Sequence, residues 1–256
     1  MMARVAIVTG ASRGIGRATA IRLARDFSAI VLVARSPESL RNTADLVMST
    51  GADALVVARD LREPQAAAAV VAATLERFNR IDAVACIAGA VPQQDLFDLT
   101  DEQWEEGLAL KFHSARRLTI AAWEALKVSR GSVAITSGTS ALTPKASLAA
   151  VGTINAAILA LAKTFADRGI KDGVQVNSIL PGSVMTDRRR SMLKGYATAN
   201  GLSLEAATER FAAEVGIARY GRPEDIANAI AFLFSPESQW LMGTALRVDG
   251  GETKVI

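Results

Sequence analysis

The 256 residues are half hydrophobic and 21% charged, with 19 glycines, one cysteine and one histidine. That apolar content excludes a disordered chain, and the glycines follow no collagen repeat; one Cys with one His builds neither an internal disulfide nor a metal cluster. Twenty-nine basic residues against 26 acidic ones leave +3, too even a balance for a protein whose main task is gripping nucleic-acid phosphates.

The chain opens MMARVAIVTG, with no apolar stretch leading to a small-residue cleavage site, so no leader peptide is expected. The first strand is predicted at Val5–Thr9. Further strands follow at Ile30–Ala34, Ala54–Ala58, Ala83–Ile87, Ser132–Thr136, Val174–Ile179 and Leu246–Val248. Between them lie helical patterns at Arg17–Phe27, Glu38–Met48, Pro64–Phe78, Asp101–Leu126, Leu148–Arg168 and Pro223–Phe234. Runs such as VAIVTG and VLVAR are apolar on both faces, as strands covered by helices on each side must be. Repeated strand–helix–strand units require a parallel sheet, because parallel strands need long crossovers. The fold class is therefore α/β: one doubly wound domain, with no linker or internal repeat. The longest apolar window, Leu148 to Ala162, is interrupted by Gly152, Thr153 and Asn155. It falls short of the roughly 20 residues of a membrane span, so a cytoplasmic protein without membrane contact is expected.

The last crossover departs from this rhythm. Between Gly182 and Pro223 run about 40 residues, far more than a usual connection. Insertions at the carboxyl ends of strands commonly cover the ligand crevice, so residues 187–222 are expected to form a substrate lid.

TGASRGIG, Thr9 to Gly16, directly follows the first strand and opens a helix. Gly10 allows the tight turn, Gly14 permits close approach of a diphosphate, and Gly16 lets helix and strand pack together. Ser12, Arg13 and Ile15 complete the loop, whose free N–H groups at the helix start meet phosphates. An acidic residue usually stands at the end of the second strand, bonding the adenosine ribose; here Ala34 and Arg35 stand there. Two guanidinium groups, Arg13 and Arg35, and no carboxylate favour a 2′-phosphate, hence NADP(H) over NAD(H).

With these residues in hand, the chain resembles the short-chain dehydrogenase/reductase family over nearly its whole length. Asp60-Leu61 matches the family's aspartate after the third strand, which meets the adenine. Ala88-Gly89 matches the end of its Asn-Asn-Ala-Gly stretch, although Cys86 and Ile87 replace both asparagines. Pro181, Gly182, Val184 and Thr186 lie in PGSVMT, similar to the family's Pro-Gly-x-x-x-Thr motif that seats the nicotinamide carboxamide. The ending, GRPEDIANAIAFLFSPESQWLMGTALRVDGGET, is similar to the 3-oxoacyl carrier-protein reductases of that family. The resemblance implies a seven-stranded sheet in the order 3-2-1-4-5-6-7, a small-molecule substrate and a homo-oligomer, tetramer or dimer.

The same resemblance exposes a gap in the chemistry. Family members protonate the carbonyl with a tyrosine, helped by a lysine one helical turn later, a serine and an asparagine. Those positions fall here on Val151, on Asn155, on Ser137 or Gly138 with Ser137 the nearer candidate, and on Lys111. Lysine and asparagine have thus changed places. One reading is compensation, with the Lys111 ammonium taking over the lost lysine's space and Asn155 bonding the ribose. The other is drift in a site that has lost its task. His113 is a poor replacement acid, because at roughly 100° per residue it points about 200° away from Lys111 on a regular helix. Lys145 and the run Arg188, Arg189, Arg190 and Lys194 read as solvated, the run being a possible anion attractor at the lid mouth. Cys86 reads as a small apolar residue, and Trp104, Phe112 and Trp123 as packing.

Three functions remain open. The first is an NADP(H)-binding oxidoreductase with a non-standard proton donor, acting on a carbonyl, alcohol, imine or enone. The second is a catalytically silent dinucleotide-binding regulator or partner subunit. The third is a lyase or isomerase without net hydride transfer.

Overall fold

The computed structural model describes residues 4–255; Met1, Met2 and Ala3, part of the start read for a leader, lie outside them. Seven strands form one sheet: β1 Val5–Thr9, β2 Ala29–Ala34, β3 Asp53–Ala58, β4 Ala83–Cys86, β5 Ser132–Thr136, β6 Gln175–Pro181 and β7 Ala245–Val248. All neighbours pair in parallel, in the order β3-β2-β1-β4-β5-β6-β7. Every residue of β1 is buried, and its side chains alternate between two cores. Val5 and Ile7 join one, with Val70, Leu118, Leu126 and Ile158, while Ala6 and Val8 join the other, with Leu23, Leu40, Ile226 and Ile230. That two-residue period lets one apolar strand hold helices on both faces.

The helices on these faces are α1 Gly14–Leu23, α2 Pro37–Met48, α3 Ala66–Phe78, α4 Asp101–Gly107, α5 Ser114–Ser129, α6 Ala149–Asp172, α7 Asp187–Ala199, α8 Leu204–Glu214 and α9 Pro223–Leu233. Helix α1 begins three residues earlier than the sequence pattern placed it, directly on Gly14 of the glycine loop. The segment expected as one helix over Asp101–Leu126 is instead α4, a π-helical turn at Leu108–His113, and α5.

Helix α6 corrects the estimate of apolar length. Residues Ala146–Asp172 are long and apolar enough to cross a membrane by length and composition alone. Ile158, Ala162 and Ala166 on it pack into the core over the sheet, so part of this apolar length is a core face. Residues 187–222 fold as α7 and α8 with a small core of their own, Leu193, Ala212, Ile217 and Tyr220. Tyr196 on α7 meets Phe211 on α8 edge-to-face at 4.8 Å.

The strand order reverses between β1 and β4, and crevices in such sheets open beyond the carboxyl ends at that reversal. Thr9 holds the two strand ends there. Its hydroxyl accepts from the N–H groups of Ile87 (2.8 Å) and Ala88 (2.9 Å).

Candidate functional site

A cleft of about 640 Å³ occupies this reversal point. It is lined by Gly10, Ser12, Arg13, Gly14, Ile15 and Gly16 from the glycine loop, Arg35 after β2, Leu61 after β3, Ala88 and Gly89 after β4, and Thr186. The loop's glycines have separate reasons. Gly10 and Gly14 sit at φ +68° and +54°, where side-chain-bearing residues are strained. At Gly16 a Cβ would fall 2.1 Å from the Gly10 carbonyl oxygen, so only hydrogen fits.

The cleft also contains residues that the motif reading missed, among them Arg17, Ser36, Ser39, Arg59 and Leu110, and it includes Arg188 from the basic run at the lid mouth. Arg59 had a signal. Ala34 and Ala58 are register partners in β2 and β3, so Arg35 and Arg59 leave adjacent strand ends side by side. Arg17 donates to the Ser12 carbonyl at 2.6 Å, bracing the loop, and its buried Nε has no partner among the described residues. Five arginines face one lining carboxylate, Asp187. A concave surface of this charge, ending on helix-start N–H groups, fits a polyanionic dinucleotide and its 2′-phosphate.

Asp60 stands in the turn after β3, held by Arg62. Its carboxylate accepts four bonds from Arg62: from the backbone N–H (3.0 Å), from Nε to both oxygens (3.1 Å each) and from a terminal nitrogen (2.6 Å). Those bonds hold the carboxyl below its usual range, and they use the acceptor capacity of both oxygens. Leu61 lines the cleft, whereas Asp60 does not. Arg62 also reaches Glu106 at 2.9 Å, tying this turn to α4.

Of the PGSVMT residues only Thr186 lines the cleft. Its hydroxyl caps α7 by accepting from the Arg189 N–H at 3.3 Å. Pro181 ends β6, and Gly182 lies so close to Asp249 that a Cβ would come within 2.6 Å of it. The Glu252 carboxylate accepts from the Ser183 N–H (2.6 Å) and hydroxyl (3.1 Å), and Val184 is buried in a bridge to Gly221.

Lys111 lies in the π-helical turn, its stem against Gly89 of the cleft wall. Its ammonium donates to the Ser137 carbonyl oxygen at 3.1 Å. Among the described residues no carboxylate pairs with it. Burial, with the Arg188 charge nearby, lowers its pKa to about 8. The turn is not a regular helix, so the 200° argument against His113 does not apply. The environment decides instead: His113 lies edge-on to Phe112 at 5.3 Å, among Glu105, Arg116 and Arg117, and its burial lowers its pKa.

Ser137 does not face the crevice. It is 4% exposed, and its hydroxyl donates to the Asn155 carbonyl at 2.8 Å. The neighbouring position points at Asn155: a Cβ on Gly138 would stand 2.7 Å from Asn155 Nδ2. Asn155, 2% exposed, donates from Nδ2 to Ser140 Oγ at 2.8 Å, and among the described residues its Oδ1 has no partner. Val151 packs with Val91, Ala150, Ile154 and Trp104 in an apolar cluster. Cys86 is buried and its thiol is pushed up to about 12, which fits an inert apolar role. Lys145 is exposed.

Residues 10–253 match the family described as Enoyl-(Acyl carrier protein) reductase. The short-chain reductase protein NovJ of Streptomyces niveus is 32% identical over 247 residues, covering 96% of this chain and 93% of that protein. The 3-oxoacyl-[acyl-carrier-protein] reductase FabG of Vibrio cholerae is 29% identical over 255 residues, 97% of this chain and 96% of that one. L-Sorbose reductase from Gluconobacter frateurii, solved with NADPH and L-sorbose, superposes with a TM-score of 0.96 at 30% identity, covering 100% of this chain and 98% of that one. The chain belongs to the short-chain dehydrogenase/reductase family.

Proposed function

We propose that this protein is an NADP(H)-dependent reductase of small carbonyl, imine or enone substrates in which Lys111, rather than a tyrosine, supplies the proton. The observation that carries the reading is Lys111, its stem against Gly89 in the wall of an arginine-rich cleft and its ammonium on the Ser137 carbonyl, with no carboxylate partner among the described residues. Sorbose reductase, solved with NADPH, supports the cofactor choice by its matching fold.

In this reading the N–H groups at the start of α1 hold the diphosphate, and Arg13, Arg35 and Arg59 hold the 2′-phosphate. Leu61, Ala88, Gly89 and the stretch through Pro181, Gly182, Val184 and Thr186 seat the remaining parts, mainly through backbone. The bound dinucleotide supplies the hydride. Asn155 Oδ1, buried and unpartnered, accepts from a ribose hydroxyl. Lys111 gives its proton to the substrate oxygen, an acid whose pKa of about 8 leaves it charged yet willing to release near neutral pH. The helices of residues 187–222 close over the substrate and exclude water, and identical chains assemble as a homo-oligomer.

The test is calorimetric titration with NADPH and NADH, followed by NADPH oxidation with a panel of ketones, imines and enones. Tight NADPH binding with NADH at least about tenfold weaker is expected, and Lys111→Met keeps binding but loses turnover by roughly 10²–10⁴-fold. Absence of binding at millimolar nucleotide, or full turnover by Lys111→Met, refutes the reading. The hydrocarbon wall at Val151 favours one alternative, a catalytically silent dinucleotide binder. Under it NADPH binds and no member of the panel is reduced.

A further inference from the structure

The amine of Lys111 has an environment that no other lysine in the described residues shares. Lys127 is paired with Glu124, and Lys145, Lys163, Lys171, Lys194 and Lys254 are exposed. Lys111 is half-buried beside the cleft, and its one hydrogen bond goes to a neutral carbonyl. Its charged neighbour is a cation, Arg188, which lines the same cleft. Desolvation and a nearby like charge are the two means by which proteins turn a lysine into a nucleophile. The geometry leaves that nucleophile usable. A neutral amine has two N–H groups and a lone pair, and the bond to the Ser137 oxygen occupies only an N–H.

We infer that Lys111 is a covalent capture site for small anionic carbonyl compounds, such as 2-oxo acids, held as an imine with Arg188 facing the anionic end. The lone pair of the amine attacks the carbonyl carbon, and the carbonyl oxygen takes up a proton to give a carbinolamine. That intermediate loses water to leave the imine, and water reverses the sequence. Nothing is oxidised or reduced. The site is the crevice of the proposed reductase, but capture needs no dinucleotide, so it stands or falls separately. It uses the neutral amine, and proton donation uses the ammonium.

The experiment incubates the protein, free of nucleotide, with limiting glyoxylate or acetaldehyde and cyanoborohydride near neutral pH, and maps every lysine by peptide mass. With a pKa of about 8 against 10.5 for an ordinary lysine, Lys111 holds far more free amine there. Alkylation of Lys111 is expected at least about tenfold faster than at the exposed lysines. Arg188→Gln should lower the ratio of glyoxylate to acetaldehyde labelling at Lys111 by about threefold or more. Labelling of Lys111 no faster than that of Lys163 or Lys171 overturns the capture site, and an unchanged ratio in Arg188→Gln overturns the anionic preference. NADPH titration and turnover of the unlabelled protein report on the reductase independently of either result.

Discussion

Replacing Lys111 by methionine should stabilise the protein at neutral pH, and the gain should disappear in alkali. The drop in the Lys111 pKa from 10.5 to about 8 means that folding holds its ammonium at a cost of about 3 kcal/mol at neutral pH. The substitution also removes the bond to the Ser137 oxygen, a loss of about 1 kcal/mol. The net is roughly 2 kcal/mol in favour of the variant, which for a chain of this size raises Tm by about 4–8 °C. The sign follows from proton counting. Between about 8 and 10.5 the unfolded lysine is protonated and the folded one is not, so the natural protein gains stability as pH rises through that window. Lys111→Met lacks this gain, and by the upper end its advantage has closed or reversed. Differential scanning fluorimetry of both proteins from neutral pH to about pH 10 reads the difference directly. Other titrating groups are common to the two and cancel. A Tm gap that stays constant across the window, or a variant already less stable at neutral pH, refutes the claim that Lys111 is a desolvated amine.

Three further outcomes are expected. Arg35→Asp should shift the ratio of NADPH to NADH affinity by about 10–100-fold toward NADH, read by calorimetry; an unchanged ratio removes Arg35 from the 2′-phosphate site. Gly16→Ala brings a Cβ to 2.1 Å from the Gly10 oxygen and should abolish NADPH binding, so retained affinity would falsify the cradle. The triple variant Val151→Tyr, Asn155→Lys, Lys111→Asn should raise NADPH-dependent ketone reduction at least about tenfold; inertness with NADPH bound counts against the alignment of those positions.

The strands were legible because a buried parallel strand must be apolar on both faces, and runs such as those at Val5–Thr9 and Ala29–Ala34 serve no other structure so well. The glycine loop was legible for a steric reason, since a carbonyl 2.1 Å from a would-be Cβ admits one residue type. The π-helical turn was not, because its extra residue leaves the apolar pattern of Asp101–Leu126 looking like one helix. Contacts such as Gly107 against Ile154 and Lys111 on Ser137 exist only after folding. The orientation of Ser137 was illegible for a related reason. A hydroxyl at the end of a strand faces one of two sides, and only the fold shows that it donates to the Asn155 carbonyl, with Gly138 beside it abutting the Asn155 side chain. Asp60 shows a further limit: its motif was in place, but a guanidinium two residues on satisfies the carboxylate before any ligand arrives.

The π-helical turn at Leu108–His113 has a consequence for which changes the chain tolerates. A bond spanning five residues instead of four accommodates one residue more than a regular helix would, and everything beyond it in α5 is turned and advanced to suit. Side-chain changes there leave the spacing intact. Deleting one residue lets the segment relax to a continuous α-helix that keeps α5 in phase, so Leu118, Ala122 and Leu126 stay seated in the core while the position of Lys111 against the Ser137 carbonyl is lost. This stretch is therefore where the chain carries one residue more than its packing requires, and that residue serves the placement of Lys111 rather than the core.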